Sequence, residues 1–227
     1  MQSNFSDHGT TLLRVEARSG SCSVVWTVVV AGGSGARFGR PKQYELLGDE
    51  RVVDRSCRIA AGVSDGVVLV VPPGDEGREG GVAGGATRSD SVRAGLAAVP
   101  PEATVICVHD AARPLATVEL YRRVVAAVEA GADGAVPGVL VTDTVKVVDD
   151  DGSVVSTPDR GRLRAIQTPQ AFRAAALRTA HAGAGEGTDD AELVERAGGR
   201  VVVVEGEPTN RKITTPDDLV WARGRLG

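Results

Sequence analysis

Cysteine and histidine are scarce in this chain of 227 residues, and each occurs three times, as Cys22, Cys57, Cys107, His8, His109 and His181. An odd number of widely spaced cysteines excludes a disulfide framework and a Cys-x-x-Cys metal site. The histidines are equally scattered, so no zinc site forms from ligands that are close in sequence.

Long apolar runs are missing as well. The longest, Val24–Ala31, has eight residues with Thr27 in its middle, whereas a membrane-spanning helix needs about 20 apolar residues. The N-terminal stretch carries charges of both signs and no apolar signal-peptide core. We therefore expect no membrane partner and a location in the reducing cytoplasm.

The chain also lacks an excess of positive charge. Its 26 Lys and Arg side chains against 30 Asp and Glu side chains give a formal net charge of −4. This balance predicts no nucleic-acid partner, while still allowing a local basic pocket. With 42% hydrophobic and 25% charged residues, the composition excludes wholesale disorder.

Short runs of β-branched residues alternate with helical segments from Val24 onwards. The predicted strands are Val24–Val30, Val67–Val71, Val105–Val108, Ala135–Val141 and Val201–Glu205. The predicted helices are Val52–Ala61, Asp90–Val99, Val118–Ala130, Ala171–Ala182, Thr188–Ala197 and Asp217–Arg225. Ser89 and Thr117 are predicted N-caps, and Gly62 and Gly131 predicted helix ends. The pattern predicts an α/β fold with a doubly wound, mostly parallel sheet.

The domain organisation follows from the same pattern. Residues 1–22 are polar and show no period, so we predict a mobile N-terminal tail followed by a single domain, 23–227. The segments Thr142–Val148 and Ser153–Thr157 alternate polar and apolar residues around an acidic turn, which predicts a β-hairpin. We expect an arm at about 141–163 that projects from the sheet. An isolated ribbon is marginal in water, so the arm predicts a homodimer.

A glycine-rich loop follows the first strand over residues 31–44. Three glycines in four positions, Gly32, Gly33 and Gly35, allow a backbone to approach phosphate oxygens closely, and Arg37, Arg40 and Lys42 add positive charge. The loop is no Walker A motif, which needs Gly-Lys-Ser/Thr, and it does not fit a dinucleotide fingerprint. It predicts nucleotide binding. The alternative is a tight turn with solvated charges.

Asp110 and Arg113 follow a predicted strand, at the edge where ligands bind in α/β sheets. An aspartate there can hold substrate hydroxyls or Mg²⁺, and an arginine can bind a phosphate. The alternative is a structural Asp–Arg pair. We interpret His109 as a structural residue rather than a general base.

Together these motifs resemble the IspD family, 2-C-methyl-D-erythritol 4-phosphate cytidylyltransferases. The segments that carry the resemblance occur in the family's order, and they are Ala31–Tyr44, Gly84–Val92, Val108–Pro114, Asp143–Lys146, Gln167–Gln170 and Lys212–Thr214. The resemblance implies a Rossmann-like nucleotidyltransferase that uses CTP, a polyol phosphate and Mg²⁺. The sequence departs from the family at Ala86, where some members have an acidic residue.

The resemblance also implies residue roles. The nucleotide would contact Ala31, Gly32, Gly33, Gly85, Arg88, Ser91 and Ala111. The catalytic cations would be Arg37, Lys42, Arg160 and Lys212. The acceptor would contact Asp110, Arg113, Thr144 and Thr168, with Thr144 and Arg160 reaching a neighbouring subunit's site. Mg²⁺ would be held mainly by the CTP phosphates, with Asp110 as a further ligand.

The reaction implied is transfer of CMP from CTP to methylerythritol phosphate, with release of pyrophosphate, in non-mevalonate isoprenoid biosynthesis. Two alternatives stay open at this point. One is a ribitol 5-phosphate cytidylyltransferase, and the other is a catalytically silent nucleotide-binding protein on the same scaffold.

Overall fold

The structure is a computed structural model that describes residues 13–14, 23–33, 35, 37–183 and 185–226. The strands are β1 (Leu13–Arg14), β2 (Val25–Val30), β3 (Leu46–Leu47), β4 (Glu50–Arg51), β5 (Gly66–Val71), β6 (Val82–Ala83), β7 (Val105–Asp110), β8 (Gly134–Leu140), β9 (Val147–Val148), β10 (Val154–Ser156), β11 (Arg164–Ile166), β12 (Gln170–Arg173) and β13 (Val201–Glu205). The helices are α1 (Val52–Ala61), α2 (Glu76–Glu79), α3 (Arg88–Ala98), α4 (Val118–Glu129), α5 (Ala174–His181), α6 (Asp190–Arg196) and α7 (Pro216–Arg223).

Within the described residues, nine strands form one sheet in the order β1-β5-β2-β7-β12-β8-β11, with β6 beside β5 and β13 beside β8. Six of them run in one direction, and β1, β11 and β12 run against it. The predicted mostly parallel α/β sheet is confirmed. The predicted tail, 1–22, lies outside the described residues, apart from Leu13–Arg14 in β1.

Helices cover both faces of the sheet, and the alternation along β2 shows why. Val29 packs on one face with Leu120 of α4, and Val28 packs on the other with Leu96 of α3. Residues of β5 and β7 are divided between the same two clusters, so the middle of the sheet is covered on both faces, as the continuous valine runs predicted. This double covering leaves the carboxyl ends of β2 and β7 as an open edge.

One predicted helix, Ala171–Ala182, was wrong over its first residues. The chain forms β12 at Gln170–Arg173, and α5 begins only at Ala174. Alanine-rich sequence favours a helix, but β12 fills the space between β7 and β8, where Phe172 is fully buried. Tertiary burial outweighs the local preference. β11, which the sequence did not predict, pairs antiparallel with residues 138–140 of β8, beyond the stretch that pairs with β12.

The predicted helix ends were right at Thr117, the N-cap of α4, and at Gly62, the C-cap of α1. Gly131 follows the C-cap of α4 with φ +109°, which suits glycine. The predicted N-cap Ser89 was wrong. The N-cap of α3 is Thr87, because its side chain and that of Asp90 form a reciprocal capping box two residues earlier.

The predicted hairpin is present but shorter than expected. β9 and β10 pair antiparallel across the turn at Asp149–Gly152, and both strands are exposed along their whole length. Residues 142–146 are not in a strand. Among the described residues, no helix combines the length and the apolar character needed to cross a bilayer.

Candidate active site

A cavity of about 500 Å³ lies at the carboxyl ends of β2 and β7. Its lining comes from four parts of the chain, and the residues are Val30, Ala31, Gly32, Gly33, Gly35, Arg37, Phe38, Lys42, Gln43, Gly85, Ala86, Thr87, Arg88, Ser91, Asp110, Ala111, Ala112 and Lys212. Eleven of the fifteen sequence-predicted site residues are in this lining. Those outside it are Arg113, Thr144, Arg160 and Thr168.

The glycine-rich loop forms one wall of the cavity. Gly35 has φ +71°, and a Cβ there would lie 2.0 Å from the carbonyl oxygen of Arg40, so this turn needs glycine. The side-chain amide of Gln43 donates to the carbonyl of Gly33 at 3.4 Å. A 3₁₀ turn at Lys42–Tyr44 then directs Lys42 back to the cavity that the loop encloses.

The first turn of α3 forms the opposite wall. The backbone N–H of Gly85 donates to the hydroxyl of Ser91 at 3.2 Å, and a Cβ on Gly85 would lie 2.2 Å from that of Asp90. Because the capping box of Thr87 and Asp90 fixes the start of α3, the positive end of the helix dipole borders the cavity. This wall therefore favours an anionic ligand.

Asp110 lies between two cations at the floor of the cavity. Lys212 donates to its Oδ2 at 2.6 Å, and the Nε of Arg88 lies 3.3 Å from its Oδ1. Burial opposes ionisation of Asp110, but Arg88 and Lys212 outweigh it and hold the pKa of this carboxyl well below its usual range. Asp110 is an anion at neutral pH.

Lys42 and Lys212 are 170 positions apart in sequence and line the same cavity. Burial lowers the pKa of Lys42, and the positive charges of Lys212 and Arg37 lower it further. Positive charges that lie close together in a partly buried cavity repel one another, and a bound anion relieves this repulsion. The arrangement suits a polyphosphate.

The sequence model of the IspD family, 2-C-methyl-D-erythritol 4-phosphate cytidylyltransferase, matches residues 25–227. The 2-C-methyl-D-erythritol 4-phosphate cytidylyltransferase of Rhodococcus jostii is 47% identical over 88% of this chain and 93% of its own length. The chain belongs to the IspD family.

Two further relatives agree with this membership. The bifunctional enzyme IspD/IspF of Anaeromyxobacter dehalogenans is 46% identical over 88% of this chain, but the chain spans only 56% of that relative. The crystal structure of 4-diphosphocytidyl-2C-methyl-D-erythritol synthase from Anaerococcus prevotii matches with a TM-score of 0.79 and 30% identity, covering 90% of this chain and 98% of the other. As an IspD family member, the chain is a nucleotidyltransferase with the fold that the resemblance implied.

Thr168 and Arg113 lie beneath the IspD cavity rather than in its lining. The hydroxyl of Thr168, which is buried, accepts the backbone N–H of Asp110 at 3.0 Å. Arg113 donates to the backbone carbonyls of Asn210 and Ile166. Thr168 therefore supports the strand end that presents Asp110, whereas Arg113 joins β11 to the segment before Lys212. The predicted contacts of both side chains with an acceptor stay predictions.

Thr144 and Arg160 are exposed at the root of the arm. The guanidinium of Arg160 donates to the carbonyl of Thr142 at 2.7 Å, which ties the two ends of the arm together. Neither residue lines the cavity of its own subunit, so their predicted action in a neighbouring site stays a prediction.

His109 is buried beside Asp110 and faces the core. Its Nδ1 lies 3.2 Å from the hydroxyl of Thr168, and its ring contacts that of Tyr121 at 5.5 Å between centroids. Burial lowers the pKa of His109 to about 4, so the ring is neutral at pH 7. This environment agrees with the structural role expected from the sequence.

Several lining residues were not predicted as site residues. Gln43 and Phe38 lie within the glycine-rich loop itself, and Thr87 precedes α3 in the pattern Thr-x-x-Asp that marks a capping box. The Thr-x-x-Asp pattern could have identified Thr87 from the sequence. The partner that Arg88 finds in Asp190, at 2.9 Å, comes from a distant helix and has no local signature.

The described residues contain no cluster of three or more His, Cys, Asp or Glu side chains placed to hold a metal ion. Among the described residues that line the cavity, Asp110 is the one carboxylate. Mg²⁺ in phosphate-transfer sites is commonly held by one or two carboxylates together with substrate phosphates and water. The residues present therefore fit an ion that arrives with a triphosphate, and they do not form a site for a resident metal.

Proposed function

We propose that this chain transfers CMP from CTP to 2-C-methyl-D-erythritol 4-phosphate, giving 4-diphosphocytidyl-2-C-methyl-D-erythritol and pyrophosphate, a step of non-mevalonate isoprenoid biosynthesis. The observation that carries the proposal is the cavity in which Arg37, Lys42 and Lys212 meet beside the first turn of α3. The names of the IspD relatives support the identity of the two substrates.

The main obstacle to this reaction is electrostatic. A phosphate with negative charge must approach a triphosphate, and two unit charges about 4 Å apart repel each other by about 4 kcal/mol at an effective dielectric constant near 20. Lys42, Lys212 and Arg37 cancel this repulsion, and they also stabilise the charge that develops on the leaving pyrophosphate.

The nucleophile is the acceptor's phosphate oxygen, which attacks the α-phosphorus of CTP while the bond to the β-phosphate oxygen breaks. Because this oxygen is already an anion, the step needs no general base and no covalent enzyme intermediate. His109, neutral and buried, is not required. The protein's contribution is to orient the two phosphates and to neutralise their charge.

Mg²⁺, when bound to the CTP phosphates, supplies further positive charge at the reacting phosphorus. Asp110 is the one carboxylate of the cavity lining, and it would be its protein ligand. Asp110 also keeps Lys212 in place through their 2.6 Å contact, so it orients this cation whether or not it contacts a metal ion.

A pyrophosphate-release assay tests the proposed function. The purified chain is supplied with CTP, UTP or ATP and with methylerythritol 4-phosphate or ribitol 5-phosphate, each in the presence of Mg²⁺. We expect turnover with CTP and methylerythritol 4-phosphate only. Turnover with ribitol 5-phosphate instead would establish the alternative acceptor, and CTP binding without turnover on either acceptor would establish a silent nucleotide-binding protein.

We also propose that the chain is a homodimer joined through the arm. The arm exposes a cluster of apolar side chains, and those more than 40% exposed are Val147, Val148, Val154 and Val155. Exposed valines on a two-stranded ribbon are unfavourable in water unless another surface covers them. A second copy brings the same four valines, which makes a self-complementary contact.

Mixing two inactive variants tests whether the arm acts across this dimer. Arg160→Ala removes the arm's cation, and Lys42→Ala disables the cavity of its own subunit. In a mixed dimer, the subunit with Arg160→Ala keeps Lys42 and receives an intact arm from its partner. An equal mixture should therefore recover about a quarter of wild-type turnover.

Two results would contradict the dimer proposal. Recovery no greater than the sum of the separate variants would place Arg160 in its own subunit's site. A monomer mass for the wild-type chain in sedimentation would show that the chain does not form a dimer.

We propose the cytoplasm as the location, since the described cysteines, Cys57 and Cys107, are free thiols.

A further inference from the structure

A chain of alternating charges leads away from the cavity floor into the protein. Lys212 contacts Asp110 at 2.6 Å, Asp110 contacts Arg88 at 3.3 Å, and Arg88 contacts Asp190 at 2.9 Å. The last carboxylate, that of Asp190, is 0% exposed. It accepts a further contact from Nε2 of His181, which lies 3.0 Å from its Oδ1.

A fully buried carboxylate is costly unless it is paired, and helix packing alone does not explain this one. Asp190 is the first residue of α6, and its neighbour Asp189 already caps that helix through the N–H of Glu192. Asp189 also binds Gln170 of β12, at 2.8 Å, which anchors α6 to the sheet. The carboxylate of Asp190 is therefore not needed as the helix cap, and its two partners are Arg88 and His181.

Arg88 is where this buried pair meets the proposed reaction. Its side chain lines the cavity. Burial alone would favour the neutral form of Arg88, but Asp190 and Asp110 raise its pKa above the usual range. If Asp190 lost its charge, the guanidinium would depend on Asp110 alone, and it would compete with Lys212 for that carboxylate.

We propose that Asp190 is a positioning residue, which holds Arg88 in the cavity wall and thereby fixes Asp110 and Lys212 for the nucleotide. The contacts among these four side chains support this role. It rests on the proposed function in one respect, which is that CTP is the ligand whose affinity reports on the cavity.

The test is a double-mutant cycle between Asp190→Asn and Arg88→Met, with CTP affinity measured by calorimetry on the full chain. Asp190→Asn keeps the shape of the side chain and removes its charge. We expect it to weaken CTP binding about tenfold. In the Arg88→Met background the same change should alter affinity by less than about twofold, because the group through which Asp190 acts is gone.

Asp54→Asn is the matched control. Asp54 pairs with Arg51 at 2.6 Å on α1, outside the cavity, so its loss should leave CTP affinity unchanged. An equal loss from Asp190→Asn in both backgrounds would mean that Asp190 does not act through Arg88, and it would overturn the proposal. Wild-type chain that binds no CTP would overturn the proposed function and the positioning role together, whereas normal binding with an additive cycle would overturn only the latter.

Thermal unfolding gives a second, ligand-free readout in case Asp190→Asn folds poorly alone. In the Arg88→Met background Asp190 keeps His181 as its partner, so Asp190→Asn should lower the melting temperature less there than in the wild type, where it also breaks the contact with Arg88. An equal or larger drop in the Arg88→Met background would overturn the proposal.

Discussion

Replacing Lys212 tests whether this side chain neutralises phosphate charge in the cavity or has only a structural role. In Lys212→Ala the cavity loses one of the cations proposed to neutralise the phosphates. Loss of one such group typically lowers the rate by about 10²–10³. The structure adds a second cost, because Lys212 is the closest partner of Asp110, at 2.6 Å.

Without Lys212, Asp110 keeps Arg88 as a partner at 3.3 Å. The negative charge of Asp110 is then less well compensated, and it repels the phosphates. At about 4 Å and an effective dielectric constant near 20, an uncompensated charge is worth about 4 kcal/mol, so we expect the loss in kcat/KM to lie near the upper end, about 10³-fold. The stability should change little, since the Lys212 side chain is 38% exposed.

The assay is pyrophosphate release with CTP and acceptor varied from below to above their KM values, which gives kcat/KM, and the melting temperature is measured in parallel. Arg211→Ala is the matched control, because Arg211 is the preceding residue, is exposed, and lies over the ring of Trp221 at 4.6 Å instead of lining the cavity. We expect the control to keep turnover near that of the wild type. Lys212→Ala with turnover close to that of Arg211→Ala would refute the charge-neutralisation argument.

Two other predictions concern the support beneath the cavity. Thr168→Val leaves the backbone N–H of Asp110 without its acceptor, which should cost about 1–3 kcal/mol, or about 2–4 °C in melting temperature per kcal/mol; Thr168→Ser should restore most of it, and equal melting temperatures for the two variants would contradict this role. Because burial lowers the pKa of His109 to about 4 from 6.5, the unfolded chain takes up a proton that the folded chain refuses, so stability should be complete above about pH 6.5 and fall towards pH 4. His109→Gln should flatten this part of the curve in urea unfolding at a series of pH values, and an identical slope in the variant would show that another group causes the decline.

Much of the fold could be predicted because its signals are local. Continuous valine runs mark strands that are buried on both faces, and α1 begins and ends at the predicted residues. β12 could not be predicted in this way. Ala171 and the alanines that follow in α5 favour a helix locally, and only the space between β7 and β8 makes a strand the better solution at Gln170–Arg173.

The site shows the same division. The glycine-rich loop could be predicted because its glycines and cations are neighbours in the sequence. The structure gives the physical reason at Gly35, which adopts a positive φ beside Arg40. By contrast, the pairing of Asp190 with Arg88 joins residues 102 positions apart. No spacing in the sequence predicts it, because Arg88 lies on α3 and Asp190 on α6, and only the folded chain brings these two residues together.

The sequence alone determined which residues could bind phosphate and in which kind of sheet, since both depend on local backbone freedom, charge and apolar pattern. The tertiary structure decided which of these residues share a cavity. It brought Lys42 and Lys212 together over Asp110 and placed Thr168 and Arg113 beneath it. The physical reason is that proximity between distant segments is set by how the helices and strands pack, and the energies of that packing are spread over the whole core.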